Sequence, residues 1–284
     1  MKTTVFSVLF LSLVCSSYSQ TENDQSYKLE KKWETAGLDV PESVLFDTDS
    51  KVLYVSNVGG KDPSAKDKNG FISKIKSDGS IIELKWATGL DSPKGLALFK
   101  GILYVTDNDK IAAIDTKAGK ITSWIPIEGA QFLNDLAVTK EGTLIVSDSK
   151  TKSYHTIKDN KPSVLTSDTS FGFPNGIFYD NGTLLSGIGD RIIKINPSTG
   201  KWENYILETG GIDGIQKVSD GVYIISDWSG RIHLVYPGKE KVKILDTTTI
   251  SEMNAADICY DPETGYLYIP TFFGNSISCY KMIP

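Results

Sequence analysis

The sequence predicts an all-β fold, a six-bladed β-propeller with four antiparallel strands per blade. Three observations predict it. One pattern of strand, turn and strand returns six times along the 284 residues. The 25 glycines, 13 tyrosines and 11 phenylalanines supply turn formers and strand formers together. No stretch sustains the i, i+3, i+4, i+7 apolar stripe of an amphipathic helix. A β-sandwich would leave six similar units at a near-constant period unexplained, whereas repeating four-stranded units of about 40 residues are propeller blades.

Each copy opens on a small or polar pair running into an apolar strand, then turns into a second strand that often ends in Ser/Thr-Asp. The first copy runs from Glu42-Ser43-Val44 to Tyr54-Val55-Ser56-Asn57, the second from Lys94-Gly95-Leu96 to Tyr104-Val105-Thr106-Asp107. Asn134-Asp135-Leu136 leads to Ile145-Val146-Ser147-Asp148, and Asn175-Gly176-Ile177 to Leu184-Leu185-Ser186-Gly187. The last two run from Asp213-Gly214-Ile215 to Ile224-Ile225-Ser226-Asp227 and from Ala256-Asp257-Ile258 to Tyr268-Ile269-Pro270-Thr271. Counted from Val44, Leu96, Leu136, Ile177, Ile215 and Ile258, the steps are 52, 40, 41, 38 and 43 residues. The long first step holds a polar insertion at Lys61–Gly70, which predicts a surface loop.

A third strand follows, as in Lys110–Asp115 or Arg191–Ile195, and a polar turn such as Pro197-Ser198-Thr199-Gly200 leads to a fourth. The last copy ends after three strands. A ring must close or leave sheet edges unpaired, so the segment Tyr27–Trp33, which has no repeat of its own, is predicted to complete that blade.

The first 19 residues predict a cleaved signal peptide: Lys2, an apolar run from Val5 to Cys15, and small residues at Ser17 and Ser19 before Gln20. The run is too short for a stable transmembrane helix, and lipidation at Cys15 is disfavoured by the bulk of Val14. The expected organisation is a leader over 1–19, a disordered tail over 20–26 and one domain over 27–284, secreted or periplasmic and with no membrane attachment once the leader is gone. Cys259 and Cys279 remain, predicted on non-adjacent strands of one blade and therefore unbridged. A net charge of −5 without a basic patch argues against a nucleic-acid partner. The Ser-Asp pairs predict structural turns, the five tryptophans predict blade packing, and His155 and His233 fall on outer strands.

The first strand of each blade lines the central channel, so the first residues of the triplets form a predicted ring: Glu42, Lys94, Asn134, Asn175, Asp213 and Ala256. A structural ring calls for small or apolar residues. This one holds two carboxylates, two amides and an ammonium. Converging Glu, Asn and Asp oxygens suit a hard cation such as calcium or magnesium. The bland alternative is a hydrated channel in which Lys94 pairs with Glu42 or Asp213.

Pro174-Asn175-Gly176-Ile177, Asn134-Asp135-Leu136-Ala137 with Glu141-Gly142, and Asp213-Gly214 ahead of Gly221-Val222-Tyr223 resemble the senescence marker protein/gluconolactonase family over about residues 36–284. The resemblance implies a six-bladed propeller that hydrolyses a sugar-derived lactone or related ester with one divalent ion: calcium first, with magnesium, manganese or zinc as others. It implies Glu42, Asn175 and Asp213 as metal ligands and Asn134 with Asp135 at the substrate, and Lys94 joins them from the ring. Asp213 becomes the candidate base. Phe132 stands where the family pattern usually has a substrate-binding arginine, and Lys94 is an ammonium able to replace the metal. The expected partner is a small-molecule substrate, and the expected state a monomer. The rival reading is a non-catalytic NHL-like propeller binding a protein, peptide or glycan on one face. A strictosidine-synthase-like enzyme ranks last for want of a catalytic glutamate in context.

Overall fold

The computed structural model describes residues 27–283, and the leader and tail expected over 1–26 lie outside the described residues. The chain forms six sheets of four strands. Blade one is β2 (Pro41–Asp47), β3 (Val52–Asn57), β4 (Gly70–Lys76) and β5 (Ile81–Leu90). Blade two is β6 (Pro93–Phe99), β7 (Ile102–Asp107), β8 (Lys110–Asp115) and β9 (Lys120–Pro126). Blade three is β10 (Leu133–Val138), β11 (Leu144–Asp148), β12 (Ser153–Lys158) and β13 (Lys161–Ser167). Blade four is β14 (Pro174–Asp180), β15 (Thr183–Ile188), β16 (Arg191–Ile195) and β17 (Trp202–Ile206). Blade five is β18 (Ile215–Ser219), β19 (Val222–Asp227), β20 (Arg231–Val235) and β21 (Val242–Asp246).

Blade six joins the two ends of the chain. Its inner strands are β22 (Cys259–Asp261), β23 (Tyr266–Pro270) and β24 (Ser276–Ile283), and β1 (Lys28–Ala36) is its outermost strand. β1 pairs antiparallel with β24 from Lys28 opposite Ile283 to Ala36 opposite Ser276. The predicted closure strand is therefore present and ends three residues later than expected, at Ala36. A short 3-10 turn, Phe272–Gly274, links β23 to β24.

The core lies between the blades. Six apolar clusters form, one at each blade interface. Val55, Leu53 and Ile75 of blade one meet Tyr268, Ile277 and Cys279 of blade six, for example. A blade flanked on both faces buries both sets of alternating side chains, so all six residues of β3 are buried. The outermost strands face water, and β5 is mostly exposed. Each aliphatic side chain moved into an interface contributes about 1.5–3 kcal/mol.

Cys259 and Cys279 are free, paired to opposite sides of Tyr268 in the central strand of the blade. The insertion of the first repeat is more than a surface loop. Its Ala65 carbonyl accepts hydrogen bonds from Ser92 Oγ (3.0 Å) and Asn108 Nδ2 (2.8 Å), which fasten it over blade two. Among the described residues no helix is long and apolar enough to cross a membrane.

Candidate functional site

The channel strands carry two layers of side chains. Glu42, Lys94, Asn134, Asn175 and Asp213 all line a cavity of about 540 Å³ at one end of the channel. The sixth ring member, Ala256, is fully buried against Val40, Val58 and Phe272. The second layer is Ser43, Gly95, Asp135, Gly176, Gly214 and Asp257. Here neighbouring strands nearly touch. A β-carbon on Gly176 would stand 2.3 Å from the Asp213 carbonyl oxygen, and one on Gly214 would stand 2.6 Å from Asp257 Oδ1. Glycine follows Asn175 and Asp213 because nothing larger fits.

Asp135 belongs to this second layer and does not line the cavity. Its Oδ1 accepts the Leu136 N–H and its Oδ2 the Ile177 N–H, both at 2.6 Å. It ties β10 to β14 rather than facing a ligand in the cavity. Asp257 is held similarly, by the Ser43 hydroxyl at 2.5 Å.

The Ser-Asp pairs do more than turn the chain. The serine staples one blade to the next: Ser147 Oγ donates to the Asn175 carbonyl (3.0 Å) and Ser226 Oγ to the Ala256 carbonyl (2.7 Å). The following aspartate grips the segment that enters the channel strand. Asp107 accepts from the Asp91 and Ser92 N–H groups, and Asp148 from those of Gln131 and Phe132. The sequence repeats thus fix the main chain on which the ring residues stand.

Burial dominates the electrostatics. Glu42 is buried and its Oε2 has no hydrogen-bond partner. Desolvation raises its pKa well above the ordinary value, Asp213 adds to the rise and Lys94 opposes it. Burial pushes the Asp213 carboxyl up to about 7, although the Asn175 amide donates to its Oδ1. Burial pulls the Lys94 ammonium down to about 8 against the pull of Glu42. Lys94 Nζ donates to the Ser92 carbonyl (2.9 Å) and sits 4.5 Å from the centre of the Phe132 ring. Asn134 Nδ2 donates to Ser149 Oγ at 3.1 Å.

The walls above this polar floor are apolar. Phe132 and Phe173 stand on one side with ring centres 6.1 Å apart. Trp228, Phe272 and Phe273 form a second group, with Trp228 5.7 Å and 5.9 Å from the two phenylalanines. Pro63 of the insertion and Ile212 also line the cavity. Trp228 therefore departs from the expected packing role, being 44% exposed at the cavity mouth. Trp33 and Trp86 do pack within blades, against Tyr268 and Tyr54, and Trp202 packs on Phe171 of the connection into its blade, whereas Trp124 is 38% exposed beneath Lys110. Sequence reasoning missed most of the aromatic wall although part of it follows the repeat: Phe132 and Phe173 each stand two residues before a ring residue, and Trp228 and Phe272 each follow the end of a second-strand motif, at Asp227 and Thr271. Phe132, where the resemblance implies an arginine, was the one member of the wall that the sequence reading singled out.

The donor set is compatible with a hard divalent cation. It consists of oxygens alone, and the orphaned Glu42 Oε2 is a buried acceptor without a donor. Among the described residues no three His, Cys, Asp or Glu side chains cluster. A cation here relies on two carboxylates and the Asn175 amide oxygen.

No family model matches the chain, and no curated protein matches it. Solved structures do resemble it. A protein assigned as a gluconolactonase is 16% identical, with TM-score 0.65, over 91% of this chain and 93% of that one. A catalytically inactive virginiamycin B lyase from Staphylococcus aureus, with quinupristin, is 15% identical, with TM-score 0.63, over 91% of this chain and 100% of that one. A streptogramin B lyase is 14% identical, with TM-score 0.65, over 90% of this chain and 98% of that one. At such identities the likeness establishes architecture, and the protein is a six-bladed β-propeller with its ends joined in one blade.

Proposed function

We propose that the protein is an exported hydrolase of lactones or related esters that works with one divalent cation in the axial cavity. The observation that carries this reading is the convergence of Glu42, Asn175 and Asp213 on the floor of one cavity, where the buried Glu42 Oε2 has no partner. A propeller that only displays a binding face has no use for that arrangement. The likeness to a protein assigned as a gluconolactonase supports the same class. The export part rests on the leader at residues 1–19.

Glu42, Asn175 and Asp213 would hold the cation, which when bound acts as a Lewis acid toward a carbonyl and water. Asp213 has one oxygen held by the Asn175 amide. Its other oxygen is the base that takes a proton from the attacking water and returns it to the alkoxide oxygen as the acyl C–O bond breaks. Lys94 spends one N–H on the Ser92 carbonyl and keeps two for the substrate carbonyl oxygen as negative charge develops there. Asn134 binds a substrate oxygen from the next blade. Asp135 works at one remove, holding the Ile177 N–H and with it the strand that carries Asn175.

The test is an assay of the chain from Gln20 onward on lactones and aryl esters, with chelator and after return of calcium, magnesium, manganese or zinc. Turnover should fall with chelator, and the melting temperature should rise with the active ion. Asp213→Ala should abolish the shift and lower kcat by about 10²–10⁴. Wild-type protein with no melting shift from any of the four ions would end the metal reading, and chelator-resistant turnover would do the same.

A further inference from the structure

We propose that the cavity selects a lactone or ester whose non-reacting part is apolar and ring-bearing or alkyl, not polyhydroxylated; the reacting end rests on the hydrolase reading above. Two aromatic groups face the same 540 Å³ space, Phe132 with Phe173 and Trp228 with Phe272 and Phe273. That volume accommodates a small organic molecule and is far larger than the reacting carbonyl needs. Phe173 and Trp228 are 50% and 44% exposed, two large apolar side chains left in water at one mouth. Such surface is removed from solvent by an apolar ligand at a gain of roughly 25 cal/mol per Å².

The polar groups do not suit a sugar acid. Those lining the cavity sit mainly on its floor, and several are already engaged: Asn175 with Asp213, Asn134 with Ser149, Lys94 with the Ser92 carbonyl. A polyhydroxylated chain along the walls would lose its water to phenyl and indole faces that return no comparable hydrogen bond. Phe132 sets a phenyl ring against the Lys94 ammonium, at 4.5 Å from the ring centre, where a polar side chain would have offered a sugar hydroxyl a partner. A flat or alkyl group stacks on the same faces without that loss.

The experiment compares three probes: a phenyl-substituted five-membered lactone, glucono-1,5-lactone, and the cyclic ether that matches the first but cannot be hydrolysed. The phenyl lactone should be turned over with kcat/KM at least about tenfold above gluconolactone. Phe173→Ala and Trp228→Ala should raise its KM about tenfold and narrow its kcat/KM advantage over gluconolactone by a similar factor. Both side chains are half exposed, so unchanged melting curves certify the fold of the variants. The ether should quench tryptophan fluorescence saturably in wild type and not in Trp228→Phe. Saturable ether binding without turnover of either lactone supports the apolar cavity and overturns the hydrolase. Gluconolactone preferred over the phenyl lactone overturns the substrate class and keeps the hydrolase. No ether binding and no turnover overturns both.

Discussion

The Thr106 hydroxyl of blade two donates to the main-chain carbonyl of Asn134 in blade three, at 2.5 Å. This contact joins a residue of the repeat, present for folding, to a residue of the cavity. Ser147 repeats it one blade on, where it also accepts the Asp135 N–H at 3.0 Å. Each staple satisfies a buried main-chain group and sets the height of one ring residue on the axis.

Ser147→Ala should therefore cost about 1–3 kcal/mol, since a buried N–H and a buried carbonyl both lose their partner. Urea denaturation measures this as a lower midpoint at unchanged slope. It should also weaken metal-linked stabilisation, because Asn175 loses its anchor. An unaltered midpoint would show that the staple carries no weight.

Removing residues 27–36 should destabilise the whole ring and not one blade. β1 supplies the outer edge of blade six, Trp33 packs on Tyr268, and Trp33 Nε1 donates to the Ser77 carbonyl of blade one at 3.1 Å. The loss exposes the edge of β24 to other chains. Lower melting temperature with a gain in aggregation is the expected result, and a truncated chain as stable as the full one would refute the closure.

Metal-free protein should lose stability as pH rises from about 4 to about 7. Asp135 shows the sign. Burial lifts its folded pKa from 3.8 to about 7 despite two main-chain donors. Across that window the unfolded chain has released the proton while the folded chain retains it, so stability falls; above about 7 both have released it and the curve flattens. Glu42, Asp213 and Asp257 shift in the same direction. Chemical denaturation in chelator at stepped pH should show the decline, and Asp135→Asn should make it shallower. A stability that rises over this range would contradict the burial argument.

Lys94→Met distinguishes an ammonium that assists the cation from one that replaces it. Lys94 is 1% exposed, and among the described residues no carboxylate lies within ion-pair distance of it. Methionine keeps most of the packing and frees the Ser92 carbonyl, so the expected loss is about 1–2 kcal/mol. Glu42 then lacks the ammonium that opposes its rise in pKa, and added calcium should raise the melting temperature at least as much as in wild type. Severe destabilisation that no divalent ion repairs would assign the ring's positive charge to Lys94 alone.

The six-fold repeat, the closure by the amino-terminal segment and the five polar ring residues were all legible in the sequence. The reason is periodicity: a blade is a local unit of about 40 residues, so equivalent positions stand at near-equal intervals, and the axis gathers whatever stands first in each triplet. Asn134 and Asp135 show where that ends. They are neighbours in sequence, yet the alternation of a strand sends one to the cavity and the other to main-chain donors of the next blade. That these side chains gather into a wall was decided by tertiary structure. Phe132 and Phe173 share a repeat position, two residues before Asn134 and Asn175, but Phe273 and Pro63 come from connections with no counterpart in the other repeats, and only closing the ring brings all of them to one mouth. Local strand patterning wrote the floor of the site, and the closing of the ring, which sets connections of different blades around one mouth, wrote its walls.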